Sequence, residues 1–513
     1  MSDFENELRG ALPRGLKGRP NAVTESEWAG IEDLGPEWTY DRSSMFLGYR
    51  GGRGIGWGDD RHVMTVAGSR AGKGVALMIP NLLLYRGSIL AIDPKGELAA
   101  ITCRARHEMG QRCIVLDPFG ANGRYASASF NPLDELDVGS PTIVDDAIQI
   151  ADALIVPNQK DPYWTDNARR MLKMLILYDL WRGRHRPGSA NLVSMRKLLM
   201  LQDEELQALS LELKKEPLET LLATIAAEQD AFDGVIAGEA ESFYLLYKSG
   251  AREFGSILSA TRTQTEFLDS RKLRDILQRS DFRLADLKRG KATVYLCLPA
   301  GRMASHANWL RVMIALSLQA FEREPGKPDI PILLMLDEFP VLGYMRSIEA
   351  AAGQIAGFGV KLWTVLQDLG QIKKLYQSSW ETFVGNAGVL TFFGNTDLTT
   401  LRYVSAKLGR IGMNLERASR ASGPDLARGV NPIQEDLRES ALLEPHEVEL
   451  TLARETGRVL VLAAGRKPVI LQRARYYADR PFGGLFDDSK ETASMARPIP
   501  PRIPAPPGLV RRG

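Results

Sequence analysis

Residues 64–75 read Met64-Thr65-Val66-Ala67-Gly68-Ser69-Arg70-Ala71-Gly72-Lys73-Gly74-Val75. An apolar run ending at Ala67, a glycine-rich turn and a helix-like segment from Gly74 give strand, loop and helix in the order a phosphate-binding loop requires. Gly68, Gly72 and Gly74 let the backbone curl so that its N–H groups converge on phosphate oxygens, and the next helix directs its positive dipole end the same way. Lys73 supplies a point charge, and Ser69, Arg70, Ala71 and Val75 complete the expected cradle. Two positions depart from the usual pattern: Ala67 stands where a first glycine is common, and Gly74 replaces the Ser or Thr whose hydroxyl binds magnesium.

Working outward, Pro331-Ile332-Leu333-Leu334-Met335-Leu336-Asp337-Glu338 is an apolar run ending in two adjacent carboxylates. A buried strand places acids at its carboxyl end, where open α/β sheets bind ligands, so this reads as a Walker B element. Asp337 is expected to hold the Mg2+ shell and Glu338 to polarise the attacking water. With Gly74 lacking a hydroxyl, magnesium would lean on Asp337, water and the phosphates, which that ion tolerates. A third apolar run, Gly359 to Leu366, ends at Gln367, whose amide can donate to and accept from a γ-phosphate and its water. An acidic strand end can also simply cap a helix, and Gln367 alone proves little; the order of the three elements is what points to ATP.

Beside the runs at Ile332–Leu336 and Lys361–Leu366, short apolar runs at Ser88–Ile92, Cys113–Leu116, Thr293–Leu298 and Val389–Phe393 are further buried-strand candidates. Runs of this kind separated by helical stretches predict an α/β fold with a mainly parallel sheet covered on both faces. From about Ile143 to Leu287 the chain reads as helix after helix, predicting an inserted all-α domain at 141–289 between two parts of one nucleotide-binding domain at 59–140 and 290–475. Residues 1–58 are a polar lead segment, and 476–513, ending in ARPIPPRIPAPPGLVRRG, are expected to form a flexible Pro/Arg-rich tail.

Composition narrows the function. Across 513 residues, 65 Lys and Arg face 63 Asp and Glu, so any nucleic-acid contact must be local. Three cysteines without partners at metal-ligand spacing exclude a disulfide framework or a zinc site. The longest apolar stretch, Met171 to Trp181, is broken by Lys173 and Asp179 and falls short of the roughly 20 residues that cross a bilayer. No transmembrane segment or signal peptide is expected.

Further segments, in this order, resemble one known family, the type IV secretion coupling proteins of the TraG class. They are Ala91-Ile92-Asp93-Pro94-Lys95-Gly96-Glu97-Leu98, then Asp117-Pro118-Phe119, then Phe130-Asn131-Pro132-Leu133, then Tyr163-Trp164 with Ala168-Arg169. After Walker B come Leu366-Gln367-Asp368-Leu369-Gly370-Gln371, Trp380, Phe383, Asn386-Ala387-Gly388, Phe393-Gly394 and Asp397. The similarity spans roughly 45 to 470, and a Gly-Lys-Gly loop is itself frequent in that family.

The resemblance implies a RecA-like P-loop NTPase that uses ATP and Mg2+, assembles as a homo-hexamer and drives DNA, with or without attached protein, into a secretion channel. Implied partners are single- or double-stranded DNA, a relaxase or relaxosome, effector proteins and channel components, with the all-α domain reading the cargo. Many relatives carry N-terminal membrane helices, whereas this chain begins polar, so it is expected in the cytoplasm, peripheral at the inner-membrane face through partners. No Arg lies in Gln354–Gly359, where some relatives place an arginine finger; Arg346, Arg402 and Arg410 are the remaining candidates. Arg169, Arg170 and Lys173 are weak candidates for DNA contact. Two rival readings are a DNA pump of the FtsK or HerA type and a nucleotide-gated cargo adaptor with little hydrolysis; Tyr163-Trp164 and the large insertion argue against the first, while Gly74 and the missing finger motivate the second.

Overall fold

The computed structural model describes residues 22–24, 26–158, 161–186, 188–418 and 433–488. In chain order its strands are β1 (Ala22–Thr24), β2 (Met45–Arg50), β3 (Arg53–Trp57), β4 (His62–Ala67), β5 (Ile89–Asp93), β6 (Arg112–Leu116) and β7 (Ala292–Cys297). These are followed by β8 (Ile332–Leu336), β9 (Val360–Leu366), β10 (Ala387–Phe393), β11 (Arg410–Ala418), β12 (Ile433–Ala441), β13 (Arg458–Ala463) and β14 (Val469–Gln472). The chain divides into two compact units: one joins the residues up to Arg86 with Leu362–Gly484, and the other joins Gly87–Lys361 with the segment from Leu485.

In the first unit the strand order is β3-β2-β14-β13-β10-β4-β9. β4 runs parallel to both β10 and β9, with Val66 opposite Phe392 on one side and Leu366 on the other. The remaining neighbours, from β10–β13 outward to β2–β3, are antiparallel. Every residue of β4 and β10 is buried, which is why each reads as a largely apolar run. Their two inward hydroxyls are not left unsatisfied: Thr391 donates to Thr65 at 2.8 Å, and the Trp363 indole donates to the same oxygen at 2.9 Å. This stitch fixes the three strands that frame the phosphate loop.

In the second unit β8, β5, β7 and β6 are all parallel, in that order. Between Ile143 and Arg289 the described elements are helical, among them Ile143–Leu154, Pro162–Gly183, Val235–Ser249 and Ala251–Gln264. Sequence signals set their ends: Asn191 and Ser194 form a capping box, and the Asp203 carboxylate accepts from Leu206 N–H. The long helix Ala300–Arg323 ties this segment down. Asn308 donates to the carbonyls of Leu154 and Gln264 at 3.0 and 2.7 Å, and Gln319 donates to the buried Asp146 carboxylate at 2.8 Å. Arg311, 2% exposed, donates to the Ala153, Leu342 and Tyr344 carbonyls at 2.8, 2.6 and 2.8 Å.

The structure differs from the sequence reading in three places. The lead segment contains β2 and β3, which join the sheet through β14. A hairpin of β11 and β12, with β1 alongside, follows the helix Leu398–Leu408 where no strand was expected. The first part of the expected tail is packed: Phe482 is fully buried against Phe46, and Asp487 pairs with Arg104 at 2.7 Å and Arg124 at 3.2 Å. The proline-rich remainder, 489–513, lies outside the described residues, as do 1–21. Among the described residues no helix is long and apolar enough to cross a membrane.

Candidate functional site

The phosphate-loop candidate leaves β4 at Ala67, and its shape is set by backbone contacts. Gly68 N–H donates to the Phe393 carbonyl at 3.1 Å, and Ala71 N–H closes a turn onto the Gly68 carbonyl at 3.1 Å. Arg70 and Gly72 take the left-handed conformation at φ 56° and 89°, an arrangement that concentrates N–H groups on one side. A Cβ on Gly68 would lie 1.8 Å from the Gly394 carbonyl oxygen, so glycine is required there. At Gly74 a Cβ would meet nothing within 4 Å. The helix that follows Lys73 opens with one wide π turn, in which Ile79 N–H reaches back to the Gly74 carbonyl, a feature often found at functional sites.

Ser69 and Arg70 are exposed, Ala71 is buried, and Lys73, Gly74 and Val75 are half-buried. Gln367 follows β9 on one flank of β4, and its N–H is held by the Gln371 side chain at 3.0 Å. Asp368 caps the next helix through Gln371 N–H at 2.9 Å, which explains the Gln367-Asp368-Leu369-Gly370-Gln371 spacing. The fold therefore brings the loop and Gln367 together within one unit.

One residue here escaped sequence reading. Arg473, just past β14, donates to the carbonyls of Ala71 and Arg454 and lies over the Phe393 ring, 5.1 Å from its centroid. Burial lowers its pKa, though an arginine keeps its charge at neutral pH. It braces the loop from 402 residues away in sequence.

The carboxylate candidates lie in the second unit. Asp337 follows β8, is 9% exposed, and accepts from Glu338 N–H at 3.0 Å. Glu338 adopts the left-handed conformation at φ 52°, a strained position for a side-chain-bearing residue and of the kind that clusters at active sites. β5 is the parallel neighbour of β8 and ends at Asp93, whose carboxylate accepts from Ala99 and Lys95 N–H at 2.9 and 3.3 Å. Burial pushes the Asp93 carboxyl up to about 7, and the negative charges of Asp337 and Glu97 add to the shift. Acids thus stand at the carboxyl ends of adjacent parallel strands, the usual ligand edge of such a sheet.

Other motif residues have local work. Asp117 locks the loop after β6 by accepting from Ala121 N–H, Asn122 N–H and the Asn122 amide at 2.9, 2.7 and 2.6 Å. Asn131 caps the turn at Pro132 and donates to the Ala190 carbonyl at 2.9 Å. Tyr163 and Trp164 stack edge to face at 5.1 Å, with the Tyr163 hydroxyl on Glu253. The weak DNA-contact candidates are ion-paired: Arg169 with Asp152 and Asp166 at 3.1 Å each, Arg170 and Lys173 with Glu239 at 2.8 and 2.7 Å. They present no uncompensated basic stripe. Arg410 pairs with Glu439 at 3.1 Å, while Arg346 and Arg402 are exposed. Among the described residues no three His, Cys, Asp or Glu side chains cluster as a metal cage.

Comparison with known proteins follows the same outline. The family model for type IV secretory system conjugative DNA transfer matches residues 35–500. The chain is 29% identical over 448 residues to protein VirD4 of Rhizobium radiobacter, covering 86% of this chain and 60% of that protein. It is 25% identical over 447 residues to the conjugal transfer protein TraG of Escherichia coli, covering 82% and 68%. It spans about 60% of the length of the VirD4 proteins it matches. Among solved structures, the unbound bacterial conjugative coupling protein TrwBdeltaN70 superposes with a TM-score of 0.63 at 15% identity, covering 90% of this chain and 96% of that one. Plasmid coupling protein TrwB in complex with ADP and Mg2+ gives 0.62 at 15% identity, covering 89% and 96%. These likenesses show the fold, a RecA-like P-loop architecture with a mainly parallel sheet.

Proposed function

The chain belongs to the type IV secretory system conjugative DNA transfer family, and from that premise we propose that it is an ATP-driven coupling subunit that delivers DNA or nucleoprotein to a secretion channel. The observation that supports this most is the loop after β4, whose glycine at 68 is packed against Gly394 and whose two left-handed residues turn its amides together. Its amides and Lys73 bind the phosphates of ATP. The oxygen donors present suit magnesium, a hard cation that keeps several waters, and Asp337 is the residue that would hold it. When bound, that ion supplies charge neutralisation across the terminal phosphates. Glu338 draws a proton from the attacking water, and Gln367 reports whether the terminal phosphate is present.

Phosphoryl transfer needs positioning and charge more than covalent chemistry from the protein. Loss of the terminal phosphate removes contacts, and in a ring of six copies that loss becomes movement of the DNA grip. Cargo recognition, through a relaxase, effector or channel component at the inner-membrane face, falls to the helical segment.

The test is ATP hydrolysis by the purified chain with and without single- and double-stranded DNA, beside plasmid transfer in cells. DNA-stimulated hydrolysis, with transfer lost in a hydrolysis-dead variant, is the expected outcome. Nucleotide binding with no turnover under any condition would favour the adaptor reading. Stimulation by DNA with transfer intact in the dead variant would favour a pump unconnected to secretion.

A further inference from the structure

The parallel strands flanking β4 are each followed by an amide side chain. Gln367 follows β9; on the opposite flank Asn395 follows β10, two residues beyond the Phe393 carbonyl that fixes Gly68. Asn395 is 4% exposed, and its Nδ2 donates to the Gln367 carbonyl at 3.1 Å. Its backbone is held in place, because Gly394 N–H donates to the Leu452 carbonyl at 2.7 Å and Gly394 packs against both Gly68 and Ala71.

The other end of that amide is the informative one. Asn395 Oδ1 is buried and has no hydrogen-bond partner among the described residues. The amide orientation is fixed by chemistry, since only the nitrogen can donate to the Gln367 carbonyl. A buried acceptor is therefore left unsatisfied beside the end of β4, a costly state unless something donates to it. Phosphate oxygens are acceptors and cannot serve. A small O–H group such as water can donate to it.

We propose that Asn395 orients the water that attacks the terminal phosphate, by accepting one of its hydrogen bonds. The inference rests on reading Gly68–Val75 as a phosphate loop. In the step, the water oxygen forms a bond to the terminal phosphorus and the bond to the bridging oxygen breaks. ADP leaves with that electron pair, and the water proton is released as inorganic phosphate forms. Asn395 exchanges no proton; it narrows the orientations available to the nucleophile.

The experiment measures kcat, KM and equilibrium nucleotide affinity for wild type, Asn395→Ala, Asn395→Asp and, as a control, Lys73→Ala. For Asn395→Ala the expected result is kcat lower by about ten- to a hundredfold with nucleotide affinity within about threefold of wild type. Asn395→Asp should regain activity as pH falls, because a neutral carboxyl again offers one donor and one acceptor. If Asn395→Ala does not fold, the near-isosteric Asp variant is read by the same split between kcat and affinity. Unchanged kcat overturns the proposal. Equal losses of affinity and turnover also overturn it, since they mark Asn395 as a brace for the loop. Should Lys73→Ala bind nucleotide as tightly as wild type, the phosphate-loop reading fails instead, and the two failures are told apart.

Discussion

The two chemically suggestive regions are built in opposite ways. After β4 the backbone does the work: glycines, left-handed turns and carbonyl contacts shape Gly68–Gly74, and the long side chain that braces it comes from Arg473. After β8 the side chains do the work, with Asp337 and Asp93 buried and Glu338 held in a strained conformation. A backbone-built site should be sensitive to an added Cβ, whereas a carboxylate-built site should be sensitive to loss of charge.

The sharpest way to separate the two is Glu338→Gln, which keeps shape and removes the base. Turnover should fall by about 10²–10⁴-fold, the usual contribution of general base catalysis, while nucleotide affinity stays within a few-fold. Parallel measurements of hydrolysis and binding check it. Gly68→Ala should act the other way, through affinity and folding. Its methyl group meets the Gly394 carbonyl at 1.8 Å, so a melting experiment should show overpacking destabilisation of about 1–3 kcal/mol together with weaker nucleotide binding.

A smaller effect distinguishes the buried acid from its neighbours. The folded state raises the Asp93 pKa from 3.8 to about 7, so this group's stabilising contribution is complete below pH 4 and is lost as pH rises through 7. In metal-free buffer Asp93→Asn should match wild type in thermal stability at pH 4 and exceed it at pH 8. The smallest change is expected from Gly74→Ser, because that position has open space. It should leave folding intact, gain a few tenths of a kcal/mol from helix propensity, and tighten Mg2+ dependence of nucleotide binding by supplying the missing hydroxyl.

These regions also differ in how readily they show in sequence. β4 and β8 are strands buried along their whole length, so their apolar runs, and the loop and acids that end them, stand out. β2 and β3 lie inside a segment punctuated by Gly48, Gly51, Gly52, Gly54 and Gly56, which reads as turn. β12, Ile-Gln-Glu-Asp-Leu-Arg-Glu-Ser-Ala, has too few apolar residues to signal a strand by alternation. Sequence reading misses the functional partners that act across distance: Arg473 reaches Ala71 from the end of β14, and Asn395, after β10, reaches Gln367 across β4. Sequence shows which residues could do chemistry; tertiary register decides which of them meet.

The most direct test of the whole account is equilibrium binding of a fluorescent ATP analogue to wild type and Lys73→Ala, each confirmed as folded by its melting curve. The account predicts saturable, magnesium-dependent binding by wild type and affinity weakened by about a hundredfold or more in the variant, because a charge-assisted contact to the phosphates is gone. Equal affinity in the two proteins would contradict it.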